Sequence, residues 1–257
     1  MTNLYTLRIL RGTPGNQYWE EFALPKAAGS NVISALMEIQ KSPVNKAGER
    51  TTPVAWESGC LEEVCGSCSM LINGRPSQGC TALIEPLIQK SKSDLITLAP
   101  FTKFPLIRDL VVDRTSMFEA LKKVKAWVSI DGTWDTKEGS AKIAPEVQEA
   151  LYVLSTCMTC GCCSESCPQV SERSSFMGPS TMSQIRLFNA HPTGAFQKSE
   201  RLHEAMGEGG IAGCGNAQNC ARVCPKKIPL TESLALIGKE ATKQALSDFL
   251  GLPDDRQ

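Results

Sequence analysis

The 257-residue sequence has no excess of charge of either sign, since 27 Lys and Arg are set against 27 Asp and Glu. Nucleic-acid surfaces normally show as a basic excess or stripe, so this balance argues against one. No run of about 18 apolar residues occurs, so no stretch of the sequence reads as a membrane-spanning helix. The opening MTNLYTLRILRGTPGNQ has no apolar core followed by a small-residue cleavage site. It is therefore not expected to be a secretory signal, and its alternation and Pro14-Gly15 break suit a targeting helix badly. Histidine is scarce: His191 and His203 are the only two, and both are expected on loops or the surface rather than as ligands. No Ser/His/Asp arrangement, paired carboxylates or phosphate loop stands out. Gly207-Glu208-Gly209-Gly210 has no strand leading into it, which argues against a dinucleotide site.

Cysteine is the residue present in abundance. Twelve are too few for a small disulfide scaffold of this length and too many for an ordinary intracellular protein. They fall in three groups: Cys60, Cys65, Cys68 and Cys80; Cys157, Cys160, Cys162, Cys163 and Cys167; and Cys214, Cys220 and Cys224. The 76 residues between Cys80 and Cys157 contain none, which suggests two modules with separate metal chemistry. The boundary is expected between residues 104 and 113, giving domains of 1–108 and 109–257.

The first module reads as mixed β with a short helix. Tyr5, Leu7 and Ile9 alternate with Thr6, Arg8 and Leu10 as in a strand, and residues 12–16 are turn chemistry returning into a second strand over Trp19 to Leu24. Ser30 or Asn31 can cap a helix with the stripe Val32, Ala35, Leu36 and Ile39. Met70-Leu71-Ile72 before Asn73-Gly74 signals a hairpin, and Leu95 to Leu98 a closing strand. The second module reads as helical. Stripes are Met117, Leu121, Val124 and Val128; Val147, Leu151 and Leu154 after Pro145; and Met182, Ile185 and Phe188 from Ser180 to before His191. A last helix carries Leu234, Ile237, Ala241, Ala245 and Phe249, with Thr231 as its expected cap. Trp56 is expected to cover a metal site or fill core, and Trp19, Trp127 and Trp134 to be core or interface.

The spacings carry the chemistry. Cys60-x4-Cys65-x2-Cys68, with eleven residues between Cys68 and Cys80, matches the plant-type 2Fe–2S pattern. Three thiolates on one tight loop wrap such a cluster and a fourth arrives from a neighbouring strand, while Gly59, Gly66, Gly74 and Gly79 allow close backbone approach. Structural zinc is the alternative; it usually comes as two C-x2-4-C knuckles, and only one x2 pair is present here. Cys157-x2-Cys160-x2-Cys163-x3-Cys167-Pro168 is the bacterial ferredoxin run, whose fourth cysteine serves the other cluster of a pair. Cys214-x2-Ala217-x2-Cys220-x3-Cys224-Pro225 repeats that spacing with alanine in the second slot. Crossing the ligands assigns Cys157, Cys160, Cys163 and Cys224 to a 4Fe–4S cluster, and Cys167, Cys214 and Cys220 to another. A methyl group cannot bind iron, so Ala217 points to a 3Fe–4S cluster; a 4Fe–4S cluster with water or hydroxide on one iron is the alternative. Cys162 is left over and reads as a packed thiol without redox duty. The expected spatial order is 2Fe–2S, 4Fe–4S, 3Fe–4S, with the last the more oxidising.

A plant-type run, then a bacterial run, then a second lacking one cysteine, resembles the iron–sulfur subunit of succinate dehydrogenase and fumarate reductase. The resemblance covers nearly the whole chain, including Cys60-Leu-Glu-Glu-Val-Cys65-Gly-Ser-Cys68, Cys157-Met-Thr-Cys160-Gly-Cys-Cys163, Phe176-Met-Gly-Pro179 and Cys214-Gly-Asn-Ala-Gln-Asn-Cys220. Asn31 to Ile39 and Arg186-Leu-Phe-Asn-Ala-His-Pro192 are similar to the Gram-positive, menaquinone-linked branch. The resemblance implies an α+β chain: an N-terminal β-grasp plant-type 2Fe–2S ferredoxin domain, then an all-α bacterial-type ferredoxin domain. It also implies a peripheral subunit on the cytoplasmic face of the bacterial membrane, without dicarboxylate turnover of its own. Such a subunit takes electrons from the FAD of a flavoprotein and passes them to a membrane anchor and quinone, linking the tricarboxylic acid cycle to respiration. Ubiquinone-using members carry a tryptophan shortly after the first Cys-Pro and a histidine after the cysteine matching Cys214. This chain has Gln169-Val170-Ser171-Glu172 and Gly215 there, so a di-haem cytochrome b anchor and menaquinone are expected. Lys226-Lys227 reads equally as a solvated pair or as facing headgroups or the anchor. Two alternatives remain: a fumarate reductase subunit working in reverse, and a zinc-stabilised interaction module.

Overall fold

Period-two alternation organises the N-terminal part of the chain. In the computed structural model, which describes residues 4–129 and 142–252, β1 (Leu4–Thr13) buries Tyr5, Leu7, Ile9 and Arg11 and leaves the intervening side chains partly exposed. The chain turns back into β2 (Asn16–Pro25), antiparallel to β1 with Phe22 opposite Leu7. β3 (Ser69–Ile72) and β4 (Arg75–Gln78) form a hairpin whose two-residue turn holds Asn73 at φ 49° and Gly74 at φ 73°, the left-handed pair a type I′ turn demands. β5 (Leu95–Ala99) inserts parallel to β1 and antiparallel to β3, giving the order β2-β1-β5-β3-β4. α1 (Val32–Lys41) starts at Asn31, whose Oδ1 accepts from the Ser34 amide at 2.8 Å, while Ser34 Oγ accepts from the Asn31 amide at 2.9 Å. Its expected apolar stripe is buried with the sheet in one core that Trp56 packs against.

Two features of this unit escaped the sequence pattern. α2 (Ile84–Ser91) carries Pro86 in its first turn, where the missing amide would have had no partner anyway. The strands β6 (Leu106–Arg108) and β7 (Val111–Val112) are too short to show a period. Between them Asp109, at φ 50°, is buried against Arg11. Its carboxylate accepts from the Gly12 and Ala55 amides, each at 2.7 Å, and from Arg11 Nε at 3.3 Å. The residues Met1–Arg114 and Met158–Glu165 form this unit, so the short helix α5 (Cys162–Glu165) belongs to it.

The second unit, Thr115–Cys157 and Ser166–Gln257, has helices and no strand among its described residues. It contains α3 (Thr115–Lys123), α4 (Pro145–Ser155), α6 (Pro179–Ala190), α7 (Lys198–Met206), α8 (Asn219–Val223) and α9 (Leu230–Leu250), with α9 packed on α6 and α7. Three expectations are corrected. α3 stops at Lys123 rather than running to Val128, because Lys125 adopts φ 47°. Thr231 lies inside α9 and Pro229 takes the cap position. Ala245 and Phe249 continue the α9 period but are exposed, Phe249 by 85%. Trp19 and Trp127 are not core, being 44% and 43% exposed, and Trp134 lies outside the described residues. The architecture is α+β, a sheet unit with its helices followed by a helical one.

Candidate metal centres

No two of the twelve cysteines are joined in a disulfide. The first group sits on the loop between α1 and β3 and just after β4. Cys60 Sγ accepts from three amides, Glu62, Val64 and Cys65, at 3.2 to 3.3 Å. Cys65 Sγ accepts from the Cys60 and Ser67 amides at 3.4 and 3.5 Å. Turning that many N–H groups onto two sulfurs requires left-handed backbone at Leu61 (φ 61°) and Glu63 (φ 57°), a conformation costing of order 1 kcal/mol or more at each non-glycine residue. The loop is thus shaped to hold electron-rich sulfur. The Ser67 hydroxyl, followed by the surrounding amides, pulls the Cys65 thiol down to about 6. Burial pushes Cys68 up to about 11, so a metal bound there would have to displace its proton. Gly74 serves the hairpin turn, whereas a Cβ on Gly66 would lie 2.8 Å from Met158 O and 2.9 Å from Cys160 Cα. Gly66 lets the first cysteine loop touch the start of the second run.

That second run is pinned inside the first unit over 158–165. Arg114 Nη1 donates to Gly66 O at 2.8 Å and Cys160 O at 3.5 Å. The buried Glu165 carboxylate accepts from the Thr102 amide at 2.9 Å, the Thr102 hydroxyl at 2.8 Å and the Lys103 amide at 3.0 Å. Gly161, at φ 87°, lies against Phe101 and Phe104. Cys160, Cys162 and Cys163 are all buried here. Cys157 and Cys224 belong to the second unit and are half-buried, with Cys224 Sγ accepting from the Ile228 amide at 3.4 Å.

The second unit brings Cys167 of the second group together with Cys214 and Cys220 of the third. Cys167, Cys214 and Cys220 line one small recess with Ala217, and Phe176, Pro179 and Leu234 supply apolar wall. Burial raises the Cys220 thiol and the neighbouring Cys167 and Cys214 sulfurs add to it. The loop carrying them uses left-handed Asn216 (φ 51°) and Gln218 (φ 61°), and Asn219 Nδ2 ties it to Ser166 O at 3.1 Å. Gln169 also lines the recess, and a Cβ on Gly215 would come within 2.5 Å of its Nε2. Among the described residues, no three His, Cys, Asp or Glu side chains close on a point where a single ion could sit. Thiolates spread around a recess suit a multi-atom iron–sulfur cage better than tetrahedral zinc, whose sulfurs lie about 2.3 Å from one centre. His191, at the end of α6, accepts from the Gly194 amide through Nδ1, and His203 lies exposed on α7 against Asp248.

Comparison with known proteins follows the same division. Residues 6–119 match a 2Fe-2S iron-sulfur cluster binding domain, and residues 153–228 a 4Fe-4S dicluster domain. The succinate dehydrogenase iron-sulfur subunit of Bacillus subtilis is 56% identical over 234 residues, covering 91% of this chain and 90% of that protein. The fumarate reductase iron-sulfur subunit of Wolinella succinogenes is 27% identical, covering 93% of this chain and 98% of that one. Among solved structures, a chain of the Mycobacterium smegmatis Sdh1 complex in the apo form superposes with a TM-score of 0.80 at 22% identity, covering 96% of this chain and 98% of that chain.

Proposed function

The chain belongs to the iron–sulfur subunit family of succinate dehydrogenase, and from that premise we propose how its cysteines divide the work. It is an electron-transfer subunit of an oxidoreductase complex. Cys60, Cys65, Cys68 and Cys80 hold a 2Fe–2S cluster. Cys157, Cys160, Cys163 and Cys224 hold a 4Fe–4S cluster, and Cys167, Cys214 and Cys220 a 3Fe–4S cluster beside Ala217. When bound, such clusters take and give electrons one at a time, which makes the chain a relay between a flavoprotein and a membrane anchor. The chain's own part is to fix the sulfurs, aim amides at them and keep water from the buried ones. Domains of 1–108 and 109–257 divide that work.

The observation supporting the third assignment most strongly is the recess that collects three cysteines and one alanine. From its family we read the subunit as peripheral, on the cytoplasmic face; no helix among the described residues is long and apolar enough to cross a membrane. Gln169 over Gly215 leaves no room for a larger side chain at 215 unless the amide moves. It is the family resemblance, with no tryptophan in residues 169–172 and no histidine at 215, that favours a di-haem cytochrome b anchor, with menaquinone reduced away from this recess. Succinate oxidation is favoured over the reverse reaction by the higher identity to the succinate dehydrogenase subunit.

Replacing Ala217→Cys tests the ligand assignment. The recess then offers a fourth thiolate, so the paramagnetic signal of the oxidised 3Fe–4S form is expected to disappear, with about one iron gained per chain. Survival of that signal unchanged contradicts the assignment.

A further inference from the structure

Two amides reach the Cys65 sulfur, that of Cys60 at 3.4 Å and that of Ser67 at 3.5 Å. The Ser67 amide shares its peptide group with the Gly66 carbonyl. In a trans peptide the N–H and the C=O point in opposite directions. Whatever bonds to the carbonyl therefore stands behind the amide, on the side away from the sulfur. Two donors stand there. Arg114 Nη1 donates to Gly66 O at 2.8 Å and the Ser69 hydroxyl at 2.6 Å, which fills both lone pairs of that oxygen. A bonded path thus runs from the Arg114 guanidinium through one peptide group to Cys65 Sγ, all within the first unit.

Arg114 is the charged member of that path. A guanidinium is not deprotonated in proteins, and only 17% of this side chain is exposed, so water screens its charge in part. Glu57 offsets the charge incompletely, with its Oε2 3.5 Å from Nη2 and its own side chain 48% exposed. The second proton of Nη1 is directed at Cys160 O, 3.5 Å away, which keeps the guanidinium between the two cysteine runs. A cation on the carbonyl oxygen draws electron density along the peptide and makes the N–H at its other end a stronger donor. The neutral Ser69 hydroxyl does the same more weakly. Stronger donation to a ligand sulfur takes negative charge from iron and raises the potential at which it is reduced.

We propose that Arg114 is a positioning residue of the first cluster, which acts through the Gly66–Ser67 peptide to strengthen the amide bond to Cys65 Sγ and raise the potential of the 2Fe–2S centre. The inference rests on Cys65 being a 2Fe–2S ligand, as in the preceding subsection. It gives Arg114 a part in electron transfer distinct from fastening the two cysteine runs together.

The test is a redox titration of the intact complex followed by paramagnetic resonance, with iron and acid-labile sulfide counted in each variant. Arg114→Gln removes the charge and is expected to shift the 2Fe–2S redox equilibrium about tenfold toward the oxidised form, lowering its midpoint by about 59 mV for one electron. Arg114→Lys keeps the charge and a donor, and is expected to restore most of that loss. Full iron and sulfide with an unmoved 2Fe–2S midpoint in Arg114→Gln overturns the proposal. An equal fall in Arg114→Lys does so too, being the result of a purely steric clamp. If Arg114→Gln does not assemble, Arg114→His decides at alkaline pH, where imidazole is neutral. Its midpoint is then expected below that of Arg114→Lys, and equal values contradict the proposal. Retention of the 2Fe–2S signal with full iron in Cys65→Ala overturns the ligand set instead.

Discussion

Arg11 and Asp109 show how much one buried pair can hold. Each has only 1% of its side chain exposed, and Asp109 also takes two amides from separate segments, Gly12 and Ala55. Burying two charges is repaid only by full pairing, and removing one partner typically costs about 3 to 5 kcal/mol. Asp109→Ala is therefore expected to lower the thermal midpoint of the cluster-loaded protein by about 6 °C or more. A midpoint within about 1 °C of the unaltered protein would show that the pair is not what fastens this corner of the sheet. At this scale the metal chemistry was legible from sequence because iron–sulfur ligation constrains spacing along the chain. The Arg11–Asp109 pair was not, since its partners lie 98 residues apart.

Helix α9 separates periodicity from burial. Its stripe was readable because Leu234, Ile237, Ala241, Ala245 and Phe249 recur at helical spacing, yet only the first three are buried. The pattern records which side chains share a face and not how far the neighbouring helices extend beneath it. Ile237→Ala is expected to cost about 2 to 5 kcal/mol through the cavity it leaves. Phe249→Ser should stay within about 0.5 kcal/mol, both measured as thermal midpoints of the cluster-loaded subunit. Equal losses from the two would mean that the far end of α9 is covered. The helix boundaries that sequence missed have local causes. Lys125 ends α3 by turning left-handed, and Pro86 concealed α2 because proline is tolerated in a first turn.

For the molecule as a whole, the two-module plan was visible as the long cysteine-free interval, and the fold class followed from strand periods before it and helical periods after it. What composition could not reveal is that residues 158–165, from the second cysteine run, are built into the first unit by Arg114, Glu165 and the bare backbone of Gly66. The central claim is that eleven thiolates of this chain carry three inorganic cages with two, four and three irons. Non-haem iron and acid-labile sulfide, counted per chain in anaerobically purified complex, measure it most directly. The account predicts about nine irons and ten sulfides. A colourless protein holding zinc, with no bound sulfide and far fewer irons, would contradict it.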